Sequence, residues 1–228
     1  MTGSIGKKMD KLKERLLFLG SAVESNLLRA VKAVRENDFG LAREVRINDT
    51  EIDEFEVNVE DDCMAILALQ QPVAGDLRFI VTALKINIDL ERIGDLAVKV
   101  ADKVNYLSKR DSQTVAPLLF SGAVRTEVEA MISDTVWMLK SALDSFARED
   151  RDLALRVIRA DEKVDAAKNL IRSLLEENYG RDPNEHLYLA TILSISRSLE
   201  RIADHATNIC EDVIYMLSGD IIRHRSTA

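Results

Sequence analysis

Cysteine is scarce in this chain. Only Cys63 and Cys210 occur among 228 residues, which rules out a disulfide framework. Both fall within apolar helical patterns and read as reduced core thiols of a cytosolic protein. Proline and glycine are also sparse, at 3 and 9, and that scarcity favours long helices over turn-rich strands. Aromatic residues are only 5% of the chain, and the single tryptophan, Trp137, is expected in the core. No basic run could neutralise several phosphates, and with a net charge of −8 this argues against nucleic acid as a partner. No stretch of eighteen apolar residues exists, and Met1–Asp10 lacks the apolar region of a signal peptide. The expectation is a cytoplasmic protein that reaches a membrane only through partners.

Catalytic constellations are missing too. The three histidines form no Glu-x-x-His pair of the kind a ferritin-like di-iron bundle needs. His205 directly follows Asp204 and so points about 100° away from it, while His186 and His224 lie near a helix start and in the tail. There is no nucleophile elbow, no phosphate-cradling glycine loop and no Cys/His zinc spacing. The chain is not expected to be an enzyme.

What is present is a repeat. Leu90-Glu91-Arg92-Ile93-Gly94-Asp95-Leu96-Ala97 returns 109 residues later as Leu199-Glu200-Arg201-Ile202-Ala203-Asp204-His205-Ala206. Around it, apolar residues recur in steps of three and four, the mark of one helix face. Leu12, Leu16, Leu19, Val23, Leu27, Ala30 and Val34 define a first helix. A second runs from about Phe39 to Ala68 and turns at Pro72 and Gly75; a third carries Ile86, Leu90, Ile93, Ala97, Val100, Val104 and Leu107. The polar stretch Ser108–Thr114 reads as a linker. A fourth helix is expected over Pro117–Ala147 and a fifth over Asp150–Asn178, ended by the turn at Tyr179–Pro183. The sixth carries Ile192, Ile195, Leu199, Ile202, Ala206, Ile209, Val213 and Met216. The fold class is therefore all-α: six long antiparallel helices in two tandem three-helix bundles related by a pseudo-twofold. The bundles are expected over residues 1–109 and 115–218, with a tail over 219–228.

The repeated motif carries acid. Residues four apart share a helix face, so Glu91 and Asp95, and Glu200 and Asp204, each present two carboxylates side by side. The preceding helices carry Asp49 with Asp53, and Asp161 with Asp165, at the same spacing. Asp53 and Glu91 both lie 19 residues from Pro72, and Asp49 and Asp95 both lie 23 from it. About Pro183 the counts are 18 and 17 for Asp165 and Glu200, and 22 and 21 for Asp161 and Asp204. Equal counts in an antiparallel hairpin mean equal height, so each repeat should gather four carboxylates across one groove. Such like charges raise one another's pKa and call for a positive counterpart. An all-oxygen donor set suits hard cations such as Mg²⁺, Ca²⁺, Mn²⁺ or ferric iron. The plainer alternative is a set of solvated faces with Arg46, Arg92, Lys168 and Arg201 as salt-bridge partners. A carboxylate-bridged metalloenzyme or metal-storage bundle is the other alternative, and the absent Glu-x-x-His pairs count against it.

These two motifs, together with Gln71-Pro72-Val73-Ala74-Gly75-Asp76-Leu77-Arg78 at the start of the third helix, resemble the PhoU family of phosphate-signalling proteins. The resemblance covers essentially the whole chain. It implies a cytoplasmic negative regulator of the phosphate-starvation response and of phosphate uptake. Such a protein would bridge the ATPase subunit of a phosphate ABC transporter and a sensor histidine kinase. It also implies a homodimer and bound metal, whether iron, manganese, magnesium or zinc. The ligands carried over by position are Asp49, Asp53, Glu91 and Asp95, then Asp161, Asp165, Glu200 and Asp204. The family's Asn four residues after the motif Asp is kept as Asn208 but replaced by Lys99 in the first copy. An ammonium there can pair with Asp95, so the second repeat is expected to bind metal more tightly.

Overall fold

A computed structural model describes residues 2–108, 122–177 and 183–222. Among these residues the chain forms α1 (Thr2–Glu36), α2 (Phe39–Gln70), α3 (Ala74–Ser108), α4 (Gly122–Arg148), α5 (Arg151–Glu177) and α6 (Pro183–Ser218), with no strand. The all-α expectation is met. The expected linker beyond Ser108, the expected start of the fourth helix at Pro117, the turn at Tyr179–Asp182 and the tail beyond residue 222 lie outside the described residues. Residues 219–222 are not helical.

The apolar stripe of α1 is buried along its whole length, from Leu12 to Val34. At its C-terminus Asn37 adopts a left-handed φ of 53°. Asp38 then donates its amide to the Ala33 carbonyl at 2.9 Å, and its carboxylate caps α2 by accepting from the Leu41 amide at 2.9 Å. The α4–α5 turn repeats this device. Glu149 takes φ 55°, the Asp150 amide bonds the Ser145 carbonyl at 2.9 Å, and Asp150 Oδ1 accepts from Leu153 at 2.9 Å. Both turns thus satisfy the exposed ends of their helices in two residues. Such short turns force each helix pair antiparallel, which sets the heights of the carboxylates that follow.

Within each repeat the three helices pack mutually, and the repeats meet along α3 and α6, with a further contact between α1 and α4. Their buried apolar residues form one continuous core. The α1–α4 contact is close. A Cβ on Gly20 would lie 2.5 Å from Leu143 Cδ2, so only glycine admits that leucine without displacing it. Polar groups tie the α3–α6 seam. Lys85 Nζ donates to the buried Asp212 carboxylate at 2.9 Å, and His205 Nδ1 lies 2.8 Å from Asp89 Oδ1.

Cys63 and Cys210 are buried and unpaired with one another, and burial pushes both thiols up to about 12. They pack as small apolar groups. The expectation for Trp137 is overturned: its side chain is 42% exposed. The buried stripe of α4 runs through Thr135, Met138 and Leu139, and Trp137 lies off it toward the outer groove beside α5.

Candidate functional site

The carboxylates predicted from counting do gather between the last two helices of each repeat. In the first repeat, α2 brings Asp49 and Asp53 against Glu91 and Asp95 of α3. Burial pushes Asp49 up to about 6, and the charges of Asp53, Asp95 and Glu91 add to the effect. In the second, α5 brings Asp161 and Asp165 against Glu200 and Asp204 of α6. Asp161 is likewise pushed up to about 6, first by burial and then by Asp204, Asp165 and Glu200. Burial also raises Asp53, Glu91 and Asp204, with their carboxylate neighbours contributing. Like charge and desolvation act together at these positions, since both favour the neutral acid. No three Asp, Glu, His or Cys side chains among the described residues converge to hold an ion. Each site is a groove with carboxylates along its walls rather than a closed cage.

The two grooves differ in detail. Asp49 Oδ1 is fully buried and has no hydrogen-bond partner. It sits over Gly94, where an added Cβ would lie only 2.9 Å away. The missing side chain lets α2 lower a carboxylate against the α3 backbone. At the matching place the second repeat has Ala203, fully buried. The Thr207 side chain there stabilises the ionised form of Asp161, although its hydroxyl is without a well-aligned partner.

Counter-charges also differ. Arg92 lies 3.3 Å from Glu91 and 3.9 Å from Asp95, and Lys99 lies 3.7 Å from Asp95. These are loose contacts at the outer rim. Arg46, near Asp49, is engaged with Asp102. In the second repeat, Lys168 Nζ reaches between the helices, 2.8 Å from Glu200 and 3.2 Å from Asp165. Hydrogen bonding to Glu200 raises the Lys168 pKa. Arg201, considered from the sequence as a salt-bridge partner, makes no ion pair among the described residues. Asn208, the family asparagine, turns to the seam, with Nδ2 3.4 Å from Asp89 Oδ1.

Sequence reasoning missed Glu56. It stands seven residues after Asp49, where the second repeat has Lys168 seven after Asp161. Asn87 of α3 donates to its Oε1 at 2.7 Å and to its backbone carbonyl at 3.0 Å. Burial raises its pKa, and Glu60, Glu91 and Asp53 raise it further. The first groove therefore holds a fifth carboxylate where the second holds an ammonium. Aligning the two repeats through α2 and α5, as well as through the echoed motif, reveals this.

By chemical type the donors suit a hard cation, although no three of them converge among the described residues. They are all oxygen, one is buried without a partner, and a glycine makes room at its side. Two three-helix bundles, each with an acidic groove between its second and third helices, define a helical repeat protein built to present charged surfaces. The sequence comparisons place it within a family: the PhoU domain model matches residues 16–104 and again 128–213, and the chain belongs to the PhoU family. A phosphate-specific transport system accessory protein PhoU homolog from Pseudomonas aeruginosa is 39% identical over 95% of this chain and 86% of its own length. The Escherichia coli protein of that name is 33% identical over 98% of this chain and 89% of its own. The crystal structure of PhoU from Pseudomonas aeruginosa superposes with a TM-score of 0.86 at 38% identity, covering 95% of this chain and all of that one. A PhoU structure from Streptococcus pneumoniae, at 24% identity and TM-score 0.84 over 96% of this chain and 99% of that one, shares the fold.

Proposed function

We propose that this protein is a non-enzymatic accessory regulator of phosphate-specific transport. It acts as a cytoplasmic adaptor between the ATPase subunit of a phosphate ABC transporter and a phosphate sensor histidine kinase, and it holds the starvation response down when phosphate is plentiful. The observation that carries this reading is near-full-length identity of 39% to a transport-system accessory protein. Among the described residues no helix is long and apolar enough to cross a membrane; in this reading contact with membrane components runs through partners. A homodimer is part of the reading.

The grooves hold metal in this proposal. Asp49, Asp53, Glu91 and Asp95 serve the first site, and Asp161, Asp165, Glu200 and Asp204 the second. A bound cation supplies positive charge that offsets carboxylate repulsion and fastens the second helix of each repeat to the third. Lys168 already does part of this in the second repeat, where its ammonium spans Glu200 and Asp165. Lys99 sits only at the rim of the first groove, 3.7 Å from one carboxylate, and Glu56 adds an acid there. We therefore assign the tighter site to the first repeat, the reverse of the order suggested by Lys99 and Asn208 in sequence.

Affinity capture from phosphate-replete cells, with and without chelator, tests the adaptor role. The expected result is recovery of a phosphate-transporter ATPase and a sensor kinase. Recovery of neither, together with unchanged starvation-gene output in a deletion strain, sinks the reading.

A further inference from the structure

The two repeats share a second groove, on the outer side of each bundle between its first two helices. In the first repeat it is lined by Phe18, Ser25, Glu51 and Phe55, among others. In the second it is lined by Asp134, Trp137, Arg156, Arg159, Ala160 and Lys163 and encloses about 470 Å³. The matching turns at Asn37-Asp38 and Glu149-Asp150 align the helices of the two repeats. In that alignment Trp137 replaces Ser25, Arg156 replaces Glu44, Arg159 replaces Ile47 and Lys163 replaces Glu51. The fold accepts a serine, two glutamates and an isoleucine at these places, so it does not demand a tryptophan and three cations.

Those cations are uncommitted. Arg156, Arg159 and Lys163 are exposed, and none pairs with a carboxylate among the described residues. This is a positive ridge on a chain of net charge −8, beside an exposed indole that offers a flat apolar face with one polar edge.

We propose that the α4–α5 groove around Trp137 is a docking site for an acidic amphipathic α-helix of a partner protein. The steps of three and four residues put the cations on one helix face, extending about 10 Å along the axis. A small anion meets one or two of them. A helix lying along the groove, with carboxylates at its own three- and four-residue steps, meets all three, and the valley between two antiparallel helices is shaped for a third. An apolar side chain from the same helix covers Trp137, the aromatic anchor expected at the centre of such contacts. Asp134, on the α4 wall, repels a carboxylate placed there and fixes which way round the helix lies.

This site faces away from the carboxylate groove. α5 presents Asp161, Asp165 and Lys168 toward α6, and Arg156, Arg159 and Lys163 toward α4. Docking and metal binding therefore occupy different faces and do not compete. The proposal deepens the adaptor reading and rests on it for the existence of a partner, but its test is made on purified protein and can fail separately.

Trp137 is the only tryptophan, so its emission reports on this groove alone. The probe is a synthetic Ala-rich helical peptide with glutamates at three- and four-residue steps and leucines on one flank. It is titrated into the full chain at low salt. A saturable change in Trp137 emission is expected. The affinity should fall about tenfold or more in the triple variant Arg156→Glu, Arg159→Ile, Lys163→Glu, which carries the residues of the first repeat. Circular dichroism should show that variant folded, as these positions are exposed; if it is not, Arg159→Ile alone serves, with a smaller loss. Saturating Mn²⁺ should leave peptide binding unchanged. The proposal is overturned by no saturable signal up to about 1 mM peptide, by equal binding of a Lys-for-Glu peptide, or by equal binding to the triple variant. Stronger responses to a DNA oligonucleotide, to pyrophosphate or to phosphatidylserine vesicles than to the acidic peptide overturn it too. The adaptor reading then still stands or falls on the capture experiment.

Discussion

The two carboxylate grooves of this protein share a scaffold and differ in how they manage charge. The second groove carries its own cation: Lys168 bridges Glu200 and Asp165 from within. The first has a glutamate at the same place, held by Asn87, and an Asp49 oxygen buried without a partner. Duplication kept the four-acid frame and changed the residue that neutralises it. A tethered ammonium and a diffusible metal ion answer the same electrostatic need, and only the metal responds to concentration.

The largest test of that contrast is to exchange the two residues. Glu56→Lys should weaken cation binding in the first groove by about tenfold or more, and Lys168→Glu should strengthen it in the second by a similar factor. Mn²⁺ titration followed by calorimetry reads both. If the wild-type second groove proves the tighter site, or if neither exchange moves the affinities, the proposed assignment is wrong.

The Gly94/Ala203 difference comes next. Ala203→Gly should cost about 1–2 kcal/mol, from lost helix propensity and one lost buried methyl group. Gly94→Ala gains the helix propensity but drives a methyl against Asp49 Oδ1, at 2.9 Å before relaxation. Stability should change by less than about 1 kcal/mol, while cation affinity of the first groove falls. Chemical denaturation and Mn²⁺ titration separate the two effects. An Ala at position 94 that leaves affinity intact would show that the glycine has no part in the site.

Proton binding tests both grooves together. Asp49 and Asp161, pushed up to about 6, hold protons more tightly in the fold than in the unfolded chain, where an aspartate titrates near about 3.9. Their contribution thus favours the fold at low pH and is lost as pH rises through about 6. The metal-free protein should melt at lower temperature at pH 7.5 than at pH 5, by a few degrees. Asp49→Asn with Asp161→Asn should flatten that slope, and saturating cation should remove it. A metal-free melting temperature that climbs over this range would mean that the two buried aspartates do not govern the pH dependence.

The smallest effect is expected at the paired turns. Glu149 holds a left-handed backbone that Asn37 adopts more easily. Glu149→Asn should relieve that strain while losing an exposed ion pair to Lys13, for a net gain of only a few tenths of a kcal/mol. Thermal melting checks it, and a clear loss would mean the Lys13 contact matters more than an exposed pair usually does.

Much of this was legible in sequence. The apolar steps of α1, α3 and α6 marked their buried faces, since one helix face must meet the core whatever its neighbours are. The carboxylate heights followed from rise per residue and two prolines. Other features were not legible. Trp137 looked like core because large aromatics usually are, but its exposure depends on which way α4 rolls against α5 and α6. Glu56 escaped because it lies outside the echoed motif. Lys168 looked like an ordinary surface cation, and only helix packing aims it across the groove at Glu200.

Sequence alone determined the six-helix repeat, the antiparallel pairing and the level at which the acids meet. These follow from local periodicity and counted spacing, which survive without knowledge of any neighbour. Tertiary structure decided which cations reach those acids, which oxygen is left unpaired, and which groove keeps an exposed tryptophan. Those depend on helix rotation and on interhelical distances of a few ångströms, over which charge interactions and steric contact change most steeply.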